Sequence, residues 1–115
     1  MQKTTAIGKD GEDQACDFLA KNGYQITHRN YHSRFGEIDI IAIKDDILAF
    51  IEVKKRKNTD FGQPSEYVTL KKQQKIIKTA TLFLMKHNLD LQPRFDIIEV
   101  YKNQINHIKS AFECN

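Results

Sequence analysis

The chain has 115 residues, 40% of them hydrophobic and 29% charged, and a formal net charge of +3. This length suits one domain, since two halves would each bury too little apolar surface to fold stably. The composition is that of a globular protein, and no apolar run is long enough to predict a membrane span or a secretory signal. The two cysteines, Cys16 and Cys114, are spaced like neither a disulfide framework nor a zinc site. We therefore expect one domain covering residues 1–115, in the reducing cytoplasm.

Helical and alternating apolar patterns predict two helices and five strands. Gly23 is a stop signal for the first helix, Asp45-Asp46 separates two β-branched runs as in a tight hairpin, and Thr69 is a candidate N-cap for the second helix. The order α-β-β-β-α-β-β predicts an α/β fold in which helices cover a mixed sheet of about five strands. The predicted elements are a helix at 8–22, strands at 24–30, 37–44 and 47–54, a loop at 60–65, a helix at 70–88, and strands at 95–101 and 105–108.

The predicted hairpin brings acidic residues of its two strands together. A two-residue turn and a four-residue turn give the same register, in which Asp39 lies opposite Glu52 and Glu37 lies opposite Lys54. Directly opposed side chains have Cβ atoms about 5 Å apart, so two carboxylates there repel each other and need a proton or a cation. A hard divalent ion, Mg²⁺ or Mn²⁺, meets that need, and the backbone carbonyl of Val53 is a candidate further ligand.

Lys54 lies one step from Glu52 on the same face of its strand. A lysine beside a metal ion could orient the attacking water and stabilise the charge that develops on a phosphate. Taken singly, each of these charged residues is more often an ordinary surface residue. Their convergence on one face of otherwise apolar strands indicates a metal-dependent active site made of Asp39, Glu52 and Lys54.

Basic residues are clustered rather than scattered. Lys54 begins an unbroken run of four basic residues, and residues 67–89 contain five lysines and no acid. Such clustering predicts binding to phosphates, although a solvated helix face is the alternative. The candidate nucleic-acid contacts are Arg34, Lys55, Arg56, Lys57, Lys71, Lys72 and Lys75, with Tyr31, His32 and Phe35 as candidate contacts to bases or sugars.

The second helix has an apolar stripe opposite a lysine stripe. At about 100° per residue, its pattern predicts a buried side that also includes Gln73. The lysines of the other side would either bind phosphates or point away from the active site. The predicted buried residues are Leu70, Ile77, Ala80 and Leu84, and the opposite lysines are Lys71, Lys75, Lys78 and Lys86.

Two segments, Gly36-Glu37-Ile38-Asp39 and Glu52-Val53-Lys54, resemble the motif of the PD-(D/E)xK nuclease superfamily, with Ile38 where proline would stand. Over nearly its whole length the chain looks like the YraN family of small bacterial proteins, which is related by fold to archaeal Holliday junction resolvases. The segments that carry this second resemblance also include Gly11-Glu12, Gly23-Tyr24, Arg29-Asn30-Tyr31, Phe50-Ile51, His107-Ile108 and Ala111-Phe112.

The resemblance implies a restriction-endonuclease-like three-layer core and a homodimer as the assembly to test. It also implies an acidic residue on the first helix that joins the metal site, which here is Glu12. The alternative for Glu12 is a favourable interaction with the helix dipole. Gln73 resembles the catalytic glutamine that some members of this superfamily carry on the second helix. The alternative is that Gln73 is a hydrogen-bonded residue at the boundary of the core.

Residues and resemblance together predict a Mg²⁺- or Mn²⁺-dependent endonuclease that hydrolyses DNA, with branched or junction DNA as the substrate by analogy. The alternative is a nucleic-acid-binding module with little or no catalysis, held by its positive surface. A third interpretation is a structural subunit of a larger bacterial complex.

Overall fold

The computed structural model describes residues 10–57 and 68–113. Within these residues two helices and five strands follow one another in the predicted order. The predicted loop at 60–65, the predicted helix start at residue 8 and Cys114 lie outside the described residues. The elements are α1 (Gly11–Lys21), β1 (Gln25–His32), β2 (Glu37–Lys44), β3 (Ile47–Lys55), α2 (Leu70–His87), β4 (Gln92–Tyr101) and β5 (Gln104–Phe112).

The strands form one mixed sheet in the order β1-β2-β3-β4-β5. Only β3 and β4 are parallel, and they are joined through α2, because parallel neighbours need a long crossover connection. Side chains of α1 belong to the apolar cluster on one face of the sheet, and side chains of α2 belong to the cluster on the other. The predicted three-layer α/β architecture is therefore confirmed.

Helix α1 is placed by a cap and by small and branched apolar side chains. Asp10 is the N-cap, and its Oδ1 accepts from the backbone N–H of Asp13 at 2.9 Å. Ala15 and Leu19 lie one helical turn apart and are fully buried against the sheet in the cluster that includes Ile40 and Ile51. This helix closes the face of the sheet opposite to α2.

Helix α2 begins at the predicted N-cap, where Thr69 Oγ1 accepts from the backbone N–H of Lys72 at 3.2 Å. Its buried side consists of Ile76, Thr79, Ala80 and Phe83, so the predicted stripe was displaced around the helix. Ala80 is buried as predicted and Ile77 and Leu84 are half-buried, but Leu70 is 69% exposed. Phe83 decides the rotation of the helix, because it packs edge-to-face against Phe50 of the sheet. Neither described helix is both long and apolar enough to cross a membrane.

Strand β5 extends to Phe112, four residues beyond its predicted end at 108. Its pairing with β4 is irregular between Phe95 and Ile97, where Ser110 has a φ of +53° and donates its backbone N–H to the fully buried Asp96 at 3.1 Å. Arg94 and His107 also bind that carboxylate, each at 2.8 Å. The longer strand therefore depends on a buried polar network that a local apolar pattern does not reveal.

Candidate active site

The site lies where β2 and β3 separate. The predicted hairpin register is confirmed over five pairs, from Lys44–Ile47 to Ile40–Ile51, where the paired residues end. Beyond that point the backbone N–H of Val53 donates to Asp39 Oδ2 at 2.7 Å instead of to a strand carbonyl. The carboxylate of Asp39 thus takes the place of a main-chain acceptor and is held at the opening between the strands.

Asp39 and Glu52 form a close pair of acids. Glu52 is only 8% exposed, and its carboxylate lies close enough to Asp39 for the two charges to repel each other. Burial and the charge of Glu52 raise the pKa of Asp39 to about 6, although the Val53 N–H and Lys72 favour its ionised form. Asp39 therefore ionises less readily than a free carboxyl group, and a nearby cation would favour its ionised form.

Lys72 of α2 supplies such a cation. Its Nζ lies 2.6 Å from Glu52 Oε2, and this hydrogen bond raises the pKa of Lys72. The Lys72 side chain is 52% exposed, whereas that of Glu52 is 9% exposed. The ion pair therefore joins a buried acid to a lysine that extends in from solvent.

These residues line an open pocket of about 420 Å³ between the sheet and the first turns of α2. Acidic side chains come from β2 and β3, and three lysines come from α2. The pocket thus places positive and negative groups around one space. Its described lining residues are Gly36, Glu37, Asp39, Glu52, Thr69, Lys71, Lys72, Lys75 and Ile76.

Close packing of β2 against α2 sets the width of this pocket. A Cβ on Gly36 would lie 3.4 Å from the Cβ of Lys75, so the absence of a side chain lets the two elements approach. The turn before Gly36 is tied to the same helix, because Ser33 and Thr79 share a hydroxyl hydrogen bond of 2.8 Å. Ser33 Oγ also accepts from the backbone N–H of Gly36 at 3.3 Å. This arrangement holds the start of β2 beside the lysines.

The acid pair offers oxygen ligands suited to a hard divalent ion. Among residues 10–57 and 68–113 no cluster of three or more His, Cys, Asp or Glu side chains could hold a metal ion by itself. Mg²⁺ is commonly bound through only one or two carboxylates, with water and phosphate oxygens completing its shell. Asp39 and Glu52 fit that mode. The Val53 carbonyl points to the same strand edge as its N–H and so faces β2.

The predicted contact between Glu37 and Lys54 is wrong: no ion pair joins these two described residues within 4.0 Å. Because the residues of β2 before Ile40 are not paired with β3, Glu37 instead pairs with His32 of β1, with 3.6 Å between Glu37 Oε1 and His32 Nδ1. Lys54 is half-buried and aligned with Glu99 of β4, and it is not among the described residues that line the pocket. Its catalytic role stays a prediction.

Glu12 is linked to the start of β2 and not directly to the acid pair. In the orientation that satisfies its hydrogen bonds, the Asn30 amide nitrogen donates to Glu12 Oε2 at 3.2 Å and to Glu37 Oε2 at 2.9 Å. Arg29 lies 3.6 Å from the same Glu12 carboxylate. Glu12 is thus linked to the pocket through Asn30 and Glu37, and the described contacts do not bring it to Asp39 or Glu52. Asn30 has a φ of +52°, which asparagine tolerates better than most residues.

Gln73 and Tyr31 make structural contacts. The Gln73 amide donates to the backbone carbonyl of Val68 at 3.0 Å. This contact matches the alternative to a catalytic role for Gln73, that of a hydrogen-bonded residue at the boundary of the core. Gln73 is not among the described lining residues. Tyr31 packs edge-to-face against Phe83 with 5.1 Å between ring centroids, so its ring serves the core rather than a base contact.

The predicted basic residues are divided between different parts of the molecule. Lys71, Lys72 and Lys75 line the pocket, so these α2 lysines do not point away from the site. Lys55 packs over the start of α1, since a Cβ on Gly11 would lie 2.8 Å from Lys55 Cγ. Arg34 is exposed and stacks on Phe35 at 4.8 Å. Arg56 is half-buried and Lys57 is exposed at the end of β3.

The sequence pattern missed the contact between Lys72 and Glu52. Lys72 lies four residues before Ile76 and seven before Thr79, so it continues the buried side of α2 by one turn. The predicted buried stripe passed through Leu70, which is exposed, and therefore did not include Lys72. With the stripe drawn through Phe83, the helical spacing would have placed Lys72 over the sheet.

A family model and several curated relatives match most of this chain. The family model described as "Uncharacterised protein family UPF0102" matches residues 11–100. A UPF0102 protein of Persephonella marina is 48% identical over 109 residues, which cover 94% of each chain. Another from Clostridioides difficile is 47% identical over 108 residues, covering 91% of this chain and 95% of the relative. The chain therefore belongs to the UPF0102 family.

Proposed function

We propose that this protein is a divalent-metal-dependent endonuclease that hydrolyses DNA, as a member of the PD-(D/E)xK superfamily. One observation carries the proposal: the paired carboxyl groups of Asp39 and Glu52 line the same pocket as Lys71, Lys72 and Lys75. A phosphodiester bound through a divalent ion needs both kinds of group, acids for the ion and cations for the phosphate oxygens.

In this proposal Asp39 and Glu52 hold Mg²⁺ or Mn²⁺, and the Val53 carbonyl is a further ligand. The bound ion would supply Lewis-acid chemistry at the scissile phosphate. Lys54, on the strand that carries Glu52, orients the attacking water. Glu12 acts indirectly, since its contact with Asn30 fixes the Glu37 side of the pocket.

The electrostatics of the acid pair support a cation-binding role. Burial and repulsion by Glu52 make the ionised form of Asp39 costly, and groups with strongly raised pKa values cluster at functional sites. Asp39 is also held in place by the Val53 N–H, so its carboxylate is already oriented before any ligand arrives. A preorganised pair of this kind is what a catalytic metal site requires.

A second candidate function, nucleic-acid binding without catalysis, is favoured by the ion pair between Lys72 and Glu52. That contact partly compensates the buried acid, so the pocket could persist as a basic binding surface. Under this alternative, DNA affinity falls steeply with salt and does not depend on divalent ions.

Incubation with linear, flapped and four-way-junction DNA in Mg²⁺, Mn²⁺ or chelator tests the first proposal. We expect cleavage only with a divalent ion and strongest with branched DNA. Asp39→Asn and Lys54→Ala should each reduce the rate at least about 100-fold, as expected for loss of a metal ligand or of a charge-stabilising group. Lys109→Ala, which removes an exposed lysine of β5, serves as the matched control and should cleave normally.

One variant, Asp39→Asn, distinguishes the two candidate functions. Under the nuclease proposal, Asp39→Asn abolishes cleavage but retains or improves DNA binding, because one negative charge has been removed from the pocket. Equal residual cleavage by the wild type, Asp39→Asn and Lys54→Ala would identify a contaminating nuclease and leave the binding module as the function. The proposal also includes a cytoplasmic location and a homodimer. Light scattering would detect the dimer.

A further inference from the structure

Lys72 binds the same carboxylate, that of Glu52, that is proposed to hold the divalent ion. Its Nζ is 2.6 Å from Glu52 Oε2, and Asp39 adds to the attraction. A carboxylate that is almost fully buried is unstable without a compensating charge. Within the described residues, Lys72 is the one cation found within 4.0 Å of a Glu52 oxygen. An ammonium group on that oxygen opposes the binding of a divalent ion to the same carboxylate, because the two positive charges repel each other at such short range.

The position of Lys72 also allows it to leave. It belongs to the first turn of α2, and its side chain is half-exposed while the acid beneath it is not. A lysine stem has several rotatable bonds, so Nζ can turn away from Glu52 without moving the helix. Lys71 and Lys75 line the same pocket beside it. A displaced Lys72 would therefore join two other lysines near the N-terminus of α2, where negative groups are favoured.

We infer that Lys72 is the resident counter-cation of the acid pair: a divalent ion displaces it from Glu52, and the released ammonium then binds a substrate phosphate. The second step rests on the proposed function, whereas the competition for Glu52 does not. Lys72 thus couples metal binding to phosphate binding. Without the ion it neutralises Glu52, and with the ion it becomes available to the nucleic acid.

Mn²⁺ binding, followed by electron paramagnetic resonance of the free ion, tests the competition. Lys72→Met removes the ammonium and keeps most of the stem, so we expect Mn²⁺ to bind roughly 3- to 5-fold more tightly than to the wild type, the upper part of the range for a partly exposed ion pair. Lys75→Met is the matched control, because Lys75 lines the same pocket but forms no ion pair within 4.0 Å among the described residues. Its effect should be less than about twofold.

DNA binding with and without a divalent ion tests the coupling. In chelator, Lys72 is engaged by Glu52, so Lys72→Met should weaken binding little. In Ca²⁺, which occupies oxygen ligands, the same change should weaken binding about threefold more than in chelator, whereas Lys75→Met should have the same effect in both.

The inference is overturned if Lys72→Met binds Mn²⁺ no more tightly than the wild type, if both lysine variants gain equally, or if neither protein binds Mn²⁺. Equal effects of Lys72→Met on DNA binding in both conditions would overturn the coupling. None of these measurements requires cleavage. A protein that never cuts DNA but shows the competition refutes the nuclease proposal alone, and one that cuts DNA without it refutes the inference alone.

Discussion

Replacing Asp39 by asparagine should stabilise the protein at neutral pH when no divalent ion is present. The wild type carries a half-buried carboxyl group whose pKa is raised from 3.8 to about 6 by burial and by the charge of Glu52. Asparagine has nearly the same shape, retains an oxygen that can accept from the Val53 N–H, and cannot ionise. The substitution therefore removes the electrostatic cost and preserves most of the packing.

The magnitude follows from the two pKa values. A difference of one in pKa corresponds to about 1.4 kcal/mol, so ionised Asp39 costs the folded state about 3 kcal/mol at neutral pH. Because the folded pKa lies above the unfolded one, this cost is absent below pH 3.8 and develops as the pH rises through about 6. A neutral hydrogen bond to Val53 is weaker than a charged one, which leaves an expected net gain of about 1–2 kcal/mol.

Urea unfolding at pH 4 and pH 7.5 in chelator measures this difference. We expect Asp39→Asn to unfold at higher urea than the wild type at pH 7.5 and at nearly the same urea at pH 4. Asp90→Asn, at an exposed aspartate after α2, is the matched control and should change neither. Mg²⁺ at ten times its dissociation constant should then stabilise the wild type by about 1.4 kcal/mol and leave Asp39→Asn unchanged.

One outcome would refute this reasoning. If Asp39→Asn lowers the free energy of unfolding by the same amount at both pH values, Asp39 contributes mainly as a hydrogen-bond acceptor and the acid pair carries no electrostatic strain.

Three further predictions concern the structure that supports the site. Asp96→Asn should reduce the free energy of unfolding by about 3 kcal/mol in urea titration, because it leaves the charge of Arg94 uncompensated. Although burial raises the pKa of Asp96, its hydrogen bonds with His107 and Arg94 lower it overall, so this contribution is present at neutral pH and is lost as the pH falls through the folded pKa. Phe83→Ala should cost about 3–5 kcal/mol by the same assay, since it leaves a cavity between α2 and the sheet. Gly36→Val should weaken DNA binding several-fold in a titration while the protein remains folded, because the added side chain pushes against α2 at Lys75; unchanged affinity would show that the width of the pocket does not matter.

Local patterns were sufficient for the elements of this fold and for the acid pair. The alternation of β2 and β3, with a short turn between them, determines a register. That register holds as far as the pair Ile40–Ile51, so the next residues, Asp39 and Glu52, both lie where the strands separate. The order of helices and strands likewise predicted a mixed sheet between two helices, because each element must bury its apolar side. The N-cap at Thr69 was also readable, since capping involves only neighbouring residues.

The sequence by itself determined which residues could carry the chemistry, and only the tertiary structure decided how they meet. The predicted register would continue to Glu37 and Lys54, but the strands separate beyond the pair Ile40–Ile51, and Glu37 pairs with β1 instead. The rotation of α2, fixed by the packing of Phe83 on the sheet, brings Lys72 to Glu52. Strand separation and helix rotation depend on the packing of residues far apart in the chain. The spacing of residues along one helix or strand reflects only local geometry. It therefore cannot predict strand separation or helix rotation.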